Sequence, residues 1–275
     1  MSDPILIVAA LNGWRERKVA KKVPYTATEI AKEAKRAVDA GAGVVHVHAR
    51  SAEGVAVFDL TLDEVISAIR AEVDVPISVT TQRGRQTSLG TITALFDVLR
   101  EVPELATVNV QSPGAELPAH REEARQILDA CERAGVRPEP GINSLEAVAD
   151  VEALYGDGLL AQAPWLHLEL GGPAGNSEHG LAGTPRNLLR LVDSLAGTLG
   201  QLRWVAHGEG TANPGVCATA AALGGHIRVG LEDTALLPDG TPAQSNAELV
   251  ELAVALADSL GREPIEPDEA RRLLR

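Results

Sequence analysis

Val44-Val45-His46-Val47-His48-Ala49-Arg50 sets two imidazoles at i and i+2 inside a Val-rich run that reads as a buried β-strand. Side chains along a strand alternate between faces, so His46 and His48 project the same way. Neighbouring imidazoles on one face suit a shared divalent cation such as Zn²⁺. The alternative is a pair of hydrogen-bonded core histidines.

Working outward, this strand is one of eight short apolar runs: Ile5 to Leu11, Val44 to Ala49, Pro76 to Thr81, Ala106 to Gln111, Arg137 to Ile142, Trp165 to Gly171, Arg203 to Gly208 and His226 to Leu231. They alternate with segments of helical period at Thr28 to Ala40, Thr61 to Ala71, Thr91 to Arg100, Ala119 to Ala134, Ser144 to Leu154, Thr184 to Ala196, Pro214 to Leu223 and Asn246 to Leu260. Several of these open on a Ser or Thr suited to capping free backbone N–H groups. Eight β–α pairs in unbroken order, with no linker-like tract, predict one (β/α)8 TIM barrel over residues 1–275. The tail Pro267 to Arg275 reads as one extra short helix packed on the outside. A doubly wound sheet is the rival, and it wants fewer strands.

At 275 residues the chain is long enough for such a barrel, and its formal net charge of −13 argues against nucleic acid or an anionic membrane surface as partner. Cys131 and Cys217 form no C-x-x-C pair, which leaves no disulfide framework or thiolate cluster to expect. Met1 to Leu11 lacks the pattern of a signal peptide, and no apolar run is long enough to span a bilayer. A cytoplasmic enzyme or assembly is the expectation. No P-loop occurs, and no G-x-G-x-x-G opens a helix directly after a strand.

In (β/α)8 barrels the chemistry sits at the carboxyl ends of the strands. His46 and His48 end the second strand, and a catalytic cation usually takes three protein ligands with an open position. Glu232, at the end of the eighth strand, is the leading third ligand, since the eighth, first and second strands are consecutive in a closed barrel. His207, ending the seventh strand, competes for that place. Arg228 lies four residues before Glu232 and five before Asp233, which allows a bidentate guanidinium–carboxylate pair. That pair is either part of an active site or purely structural. Thr80, Thr81, Asn109 and Gln111 end the third and fourth strands and serve equally as turn residues. Glu139, between Pro138 and Pro140, reads as a surface residue, and Gly208-Glu209-Gly210 is too short a pattern to assign.

Several stretches together resemble one family, the β-keto acid cleavage enzymes, of which 3-keto-5-aminohexanoate cleavage enzymes are members. They are Ala10-Leu11-Asn12-Gly13, Val23-Pro24-Tyr25-Thr26 leading to Glu29, Gly41 to Arg50, Gly224-Gly225-His226-Ile227-Arg228-Val229-Gly230-Leu231-Glu232-Asp233, Ser245 to Val250, and Glu269-Ala270-Arg271. The resemblance implies a zinc-dependent barrel that exchanges the acetyl unit of acetyl-CoA with the acyl part of a β-keto acid, giving acetoacetate and a new acyl-CoA. By the same resemblance His46, His48 and Glu232 hold the metal, while Asp233, Arg228 and Thr80 activate the keto acid. Thr107 and Asn109 line the substrate cavity, and a homo-oligomer, often a tetramer, is implied.

The chain departs from the family where members acting on amino-substituted keto acids carry carboxylates, because Arg15 and Gly141 stand at those places. A cationic Arg15 would repel an ammonium group, which predicts a substrate anionic or neutral at its distal end, a dicarboxylic β-keto acid being the leading case. The alternative directs Arg15 to solvent beside Glu16 and Arg17. Gln82 and Arg83 stand where the family commonly has paired glycines, and His207 and Glu209 add polar groups without an assigned role. Two rival functions stay open: another divalent-metal barrel, a lyase or hydrolase acting on an oxo acid without CoA, and a non-catalytic metabolite-binding barrel.

Overall fold

The computed structural model describes residues 3–82, 87–110, 117–161, 164–172 and 180–274, with the backbone alone at 117–120. Arg83, Gln111 and Arg275 lie outside the described residues. Eight parallel strands close in chain order: β1 (Ile7–Ala10), β2 (Val44–Val47), β3 (Ile77–Val79), β4 (Leu105–Asn109), β5 (Arg137–Ile142), β6 (Trp165–Leu170), β7 (Arg203–Gly208) and β8 (His226–Val229). β1 pairs with both β2 and β8, so the sheet has no edge and the doubly wound alternative falls away.

The helices follow the strands as α1 (Ala27–Asp39), α2 (Thr61–Glu72), α3 (Leu89–Val98), α4 (Leu117–Ala134), α5 (Leu145–Gly156), α6 (Pro185–Leu199), α7 (Asn213–Ala222), α8 (Asn246–Ser259) and α9 (Pro267–Leu273). Several of them open on a side-chain cap. Thr26 accepts the Glu29 N–H while the Glu29 side chain answers the Thr26 N–H, a complete capping box. Ser144, Thr184 and Ser245 cap α5, α6 and α8 by accepting the N–H three residues on, without the reciprocal half of the box. Among the described residues no helix is long and apolar enough to cross a membrane.

Two expectations change. The run from Ile5 contributes only Ile7–Ala10 to the barrel, because Ile5 pairs instead with Pro264. The terminal helix does not lie on the outside. Ile265, Ala270 and Leu274 pack in one cluster with Leu6, Val8, Val44, Leu105, Trp165 and Val205, so the α9 segment plugs the N-terminal end of the barrel. That leaves the opposite end open for a site, the division of labour usual in this architecture.

Candidate active site

Every second residue of a strand faces the barrel interior, so the two histidines fix what else points inward. In the barrel register Ala10 lies beside His46, His46 beside Ser78 and Val8 beside Arg228. A cavity of about 490 Å³ opens at the C-terminal ends of the strands, within the size range of small-molecule sites. His46, His48, Thr80, Thr107, Asn109, Glu169, His207, Arg228, Glu232 and Asp233 all line it, and Trp14, Arg15 and Glu16 reach it from the loop after β1.

His46, His48 and Glu232 converge on its floor. The Nε2 atoms of His46 and His48 lie 3.6 and 3.4 Å from Oε1 of Glu232. One ligand atom from each of the three residues falls within 4.8 Å of the others. Both imidazoles are only 2% exposed. Burial pushes the pKa of His46 well below the ordinary histidine value, with Arg228 and His48 adding to it against Glu232, so the ring is neutral and carries a ligand lone pair. Burial works to raise the Glu232 pKa, but Arg228, His48 and His46 carry it well below the usual carboxylate range. Its Oε2 is buried without a hydrogen-bond partner, which leaves lone pairs that a cation would take up. Two imidazoles with a carboxylate are a donor set of catalytic zinc centres, and the residue types gathered here fit one.

Local backbone chemistry places the three. Asn12 is fully buried; its Nδ2 donates to the His48 carbonyl at 2.9 Å and its Oδ1 accepts the His48 N–H at 2.9 Å, tying the loop after β1 to the end of β2. Gly13 turns beneath Glu232 with φ of 50°, and a Cβ there would fall 2.2 Å from Glu232 Cγ. Asn246, at the start of α8, accepts the Leu231 N–H at 2.9 Å and donates to the Leu11 carbonyl at 3.2 Å, joining the loop after β8 to that after β1.

Arg228 forks onto Asp233, with Nε donating to Oδ2 at 3.1 Å and Nη2 to Oδ1 at 2.8 Å. Its Nη2 also donates to Glu232 Oε1 at 2.5 Å. Burial opposes the guanidinium charge, but Asp233 and Glu232 raise its pKa further above the ordinary value. One cation therefore relieves two adjacent carboxylates. Behind Asp233, His207 Nε2 lies 3.7 Å from Oδ1, His207 Nδ1 is 2.8 Å from His167 Nε2, and His167 Nδ1 is 3.1 Å from Glu169 Oε1. Burial lowers the His207 pKa to about 4. His207 thus sits beside Asp233, while Glu232 occupies the third place at the histidine pair.

The remaining predicted residues take varied positions. Thr80 lines the cavity and its Oγ1 accepts the Gln82 N–H at 2.9 Å, which leaves its own hydrogen free to donate. Thr107 and Asn109 line the same wall, while Thr81 Oγ1 donates to the Thr107 carbonyl at 2.5 Å. Arg15 reaches the cavity, but its Nε and Nη2 donate to the Glu232 carbonyl at 3.1 and 2.8 Å, and Nη2 also donates to that of Asp233 at 3.1 Å. Those donors brace the loop after β8. Gln82 and Glu209 also line the cavity. The surface reading of Glu139 is corrected: it is 4% exposed, because residue 139 is an inward position of β5 and the flanking prolines face away.

On the inner face of the described strands, Ser78, His167 and Glu169 escaped the sequence reading and Glu139 was misplaced by it, and Asn143, just past β5, was also missed. The signal was present as period-two polarity, Ser78-x-Thr80, Glu139-x-Gly141 and His167-x-Glu169, inside runs judged only by their apolar content. Gly141 is the clearest case. A Cβ at Gly141 would lie 3.0 Å from Glu169 Oε1, so a carboxylate from β6 occupies the space that a strand-five side chain would take.

Fold and site together define a (β/α)8 barrel with a candidate metal-type His-His-Glu centre and a guanidinium-held aspartate at its mouth. The family model for the beta-keto acid cleavage enzyme matches residues 4–275, and the chain belongs to that family. The 3-keto-5-aminohexanoate cleavage enzyme of Fusobacterium nucleatum subsp. nucleatum is 32% identical over 289 residues, an overlap of 100% of this chain and 98% of that protein. The 3-oxoadipate:acetyl-CoA acetyltransferase of Cupriavidus necator is 25% identical, with 100% of this chain and 95% of that protein covered. Among solved structures, the ternary complex of ObcA with a C4-CoA adduct and oxalate superposes with a TM-score of 0.76 at 19% identity, covering 92% of this chain and 67% of that one, a likeness of fold.

Proposed function

We propose that this chain is a zinc-dependent enzyme that condenses a β-keto acid with acetyl-CoA and cleaves the adduct to acetoacetate and a new acyl-CoA. The observation that carries the reading is the placement of Asp233, forked by Arg228, next to the His46, His48 and Glu232 cluster on the floor of one cavity. Membership of the family supports it, as do relatives named for transfer to or from acetyl-CoA.

His46, His48 and Glu232 would hold the cation, which when bound polarises the keto oxygen and stabilises the negative charge that develops there. Asp233 takes a proton from the methylene between the two carbonyl groups. The bared carbon attacks the thioester carbonyl of acetyl-CoA, so a carbon–carbon bond forms and the CoA thiolate leaves. The thiolate then adds to the original keto carbon, the bond from that carbon to the methylene breaks, the freed carbon takes back the proton held by Asp233, and acetoacetate departs. Arg228 keeps both oxygens of Asp233 oriented, and the Thr80 hydroxyl donates to a substrate oxygen. Thr107 and Asn109 line the wall along which the acyl chain lies. A homo-oligomer belongs with this reading.

For the distal end we favour a neutral group. Arg15 would attract a carboxylate, but it spends Nε and Nη2 on backbone carbonyls. Glu169 adds an opposing carboxylate to the same cavity, its pKa held to about 2 because His167, His207 and Arg228 outweigh the effect of burial. Neutral, dicarboxylic and amino-substituted β-keto acids, each supplied with and without acetyl-CoA, test both parts. Acetoacetate is expected only with acetyl-CoA and fastest from the neutral acid. Turnover without acetyl-CoA would overturn the activity, and a preference for either charged acid would overturn the distal reading.

A further inference from the structure

We propose that Glu139, acting through Ser78, sets the tautomer of His46 and so directs its ligand nitrogen into the cation site. The inference rests on the metal reading of that site. Ser78 on β3 is the register neighbour of His46 on β2, and its Oγ lies 3.0 Å from His46 Nδ1. The Ser78 hydroxyl donates to Glu139 Oε2 at 2.9 Å, and the Trp165 indole N–H donates to Glu139 Oε1 at 2.9 Å. Ser78, His46, Glu139 and Trp165 are between 1 and 4% exposed, so the direction of each hydrogen bond is decided inside the chain.

The direction follows from valence. A carboxylate accepts and does not donate, and an indole N–H donates and does not accept. The Ser78 hydrogen therefore goes to Glu139, and a lone pair of Ser78 Oγ faces His46. Nδ1 of His46 must then carry the imidazole hydrogen, which leaves Nε2 bare. Nε2 is the nitrogen that lies 3.6 Å from Glu232 Oε1. His48 has no such arrangement, since its Nδ1 is buried without a partner. Pre-organisation of the ligand pair is concentrated on His46. Glu139 and Ser78 touch neither substrate nor cation; they are positioning residues. Outer groups of this kind typically alter metal affinity by about tenfold to a hundredfold.

Glu139→Gln reverses the direction. The new amide keeps both neighbours bonded only by accepting from Trp165 and donating to Ser78 Oγ. The Ser78 hydrogen then turns to His46 Nδ1, and the imidazole hydrogen moves to Nε2, where it points into the site. Ser78→Ala removes the bias without reversing it. Nitrogen-15 NMR of the metal-free proteins should show His46 as the Nδ1–H tautomer in the wild type, as Nε2–H in Glu139→Gln and as a mixture in Ser78→Ala. Competition with a chromophoric chelator should show zinc affinity about tenfold to a hundredfold weaker in Glu139→Gln and less weakened in Ser78→Ala. An unchanged His46 tautomer in both variants, with zinc affinity within twofold of wild type, overturns the proposal. If Glu139→Gln does not fold, a pure Nδ1–H tautomer in Ser78→Ala overturns it alone. Wild-type protein that binds no zinc would refute the metal reading, and the tautomers would still decide the role of Glu139.

Discussion

At Glu232 a single carboxylate oxygen, Oε1, is shared by both imidazoles, at 3.6 and 3.4 Å, and by the Arg228 guanidinium, at 2.5 Å. The next residue, Asp233, uses both oxygens on the same arginine. Adjacent carboxylates thus have different surroundings, which is why the proposed reaction gives one to the cation and the other the work of the base. Asp233→Asn keeps the volume and removes the base, so kcat should fall by about 10²–10⁴ while one zinc per chain is retained. Loss of zinc in that variant would place Asp233 among the ligands instead. That His46, His48, Arg228, Glu232 and Asp233 gather at one mouth was legible from their places at or just past strand ends, while the roles proposed for Arg228 and Asp233 came from the family resemblance. Glu139 and Glu169 were not, because a polar residue inside an apolar run reveals its partners only when strands far apart in the chain are brought together.

The elements that matter most are two loops, after β1 and after β8, which hold each other. Arg15 braces the Glu232 and Asp233 carbonyls, Asn246 links Leu231 to Leu11, and Gly13 yields its side-chain space to Glu232. Gly13→Ala would both strain a left-handed residue and displace Glu232 Cγ from a point 2.2 Å away. Zinc affinity should drop about tenfold or more while the unfolding free energy falls by only about 1–2 kcal/mol. Equal affinity would show that Glu232 reaches the site from another backbone position. The starts of α5 and α6 were readable from their caps, Ser144 and Thr184, whereas α1 and α3 are capped by Thr26 and Ser88, ahead of the expected Thr28 and Thr91, and α2 and α7 have no side-chain cap. The placement of α9 was not, because a short amphipathic tail carries no mark of which end or flank of a barrel it covers.

At the scale of the whole molecule, buried histidines in two parts of the barrel are kept uncharged. Burial pushes both His207 and His226 down to about 4. In the unfolded chain each takes up a proton near pH 6.5, whereas the fold refuses it until about pH 4. The unfolded state therefore binds more protons across that window, and stability, full above pH 6.5, declines as pH falls and levels off for these groups below about 4. Each contributes up to about 3 kcal/mol to the decline. Denaturant unfolding of metal-free protein at pH 7.5, 6 and 4.5 checks it; constant stability would mean that these histidines are already charged in the fold. Barrel closure itself was legible from eight β–α pairs, since a parallel sheet of that length wound in chain order has one way to remove its edges.

In the proposed reaction the methylene carbon of the keto acid acquires the acetyl group of acetyl-CoA within this cavity. Turnover of an unlabelled β-keto acid with acetyl-CoA carrying carbon-13 at both acetyl carbons tests it directly. Acetoacetate labelled at its keto and methyl carbons is expected, with an unlabelled carboxyl end and an unlabelled new acyl-CoA. Unlabelled acetoacetate, or label in the new acyl-CoA, would contradict it.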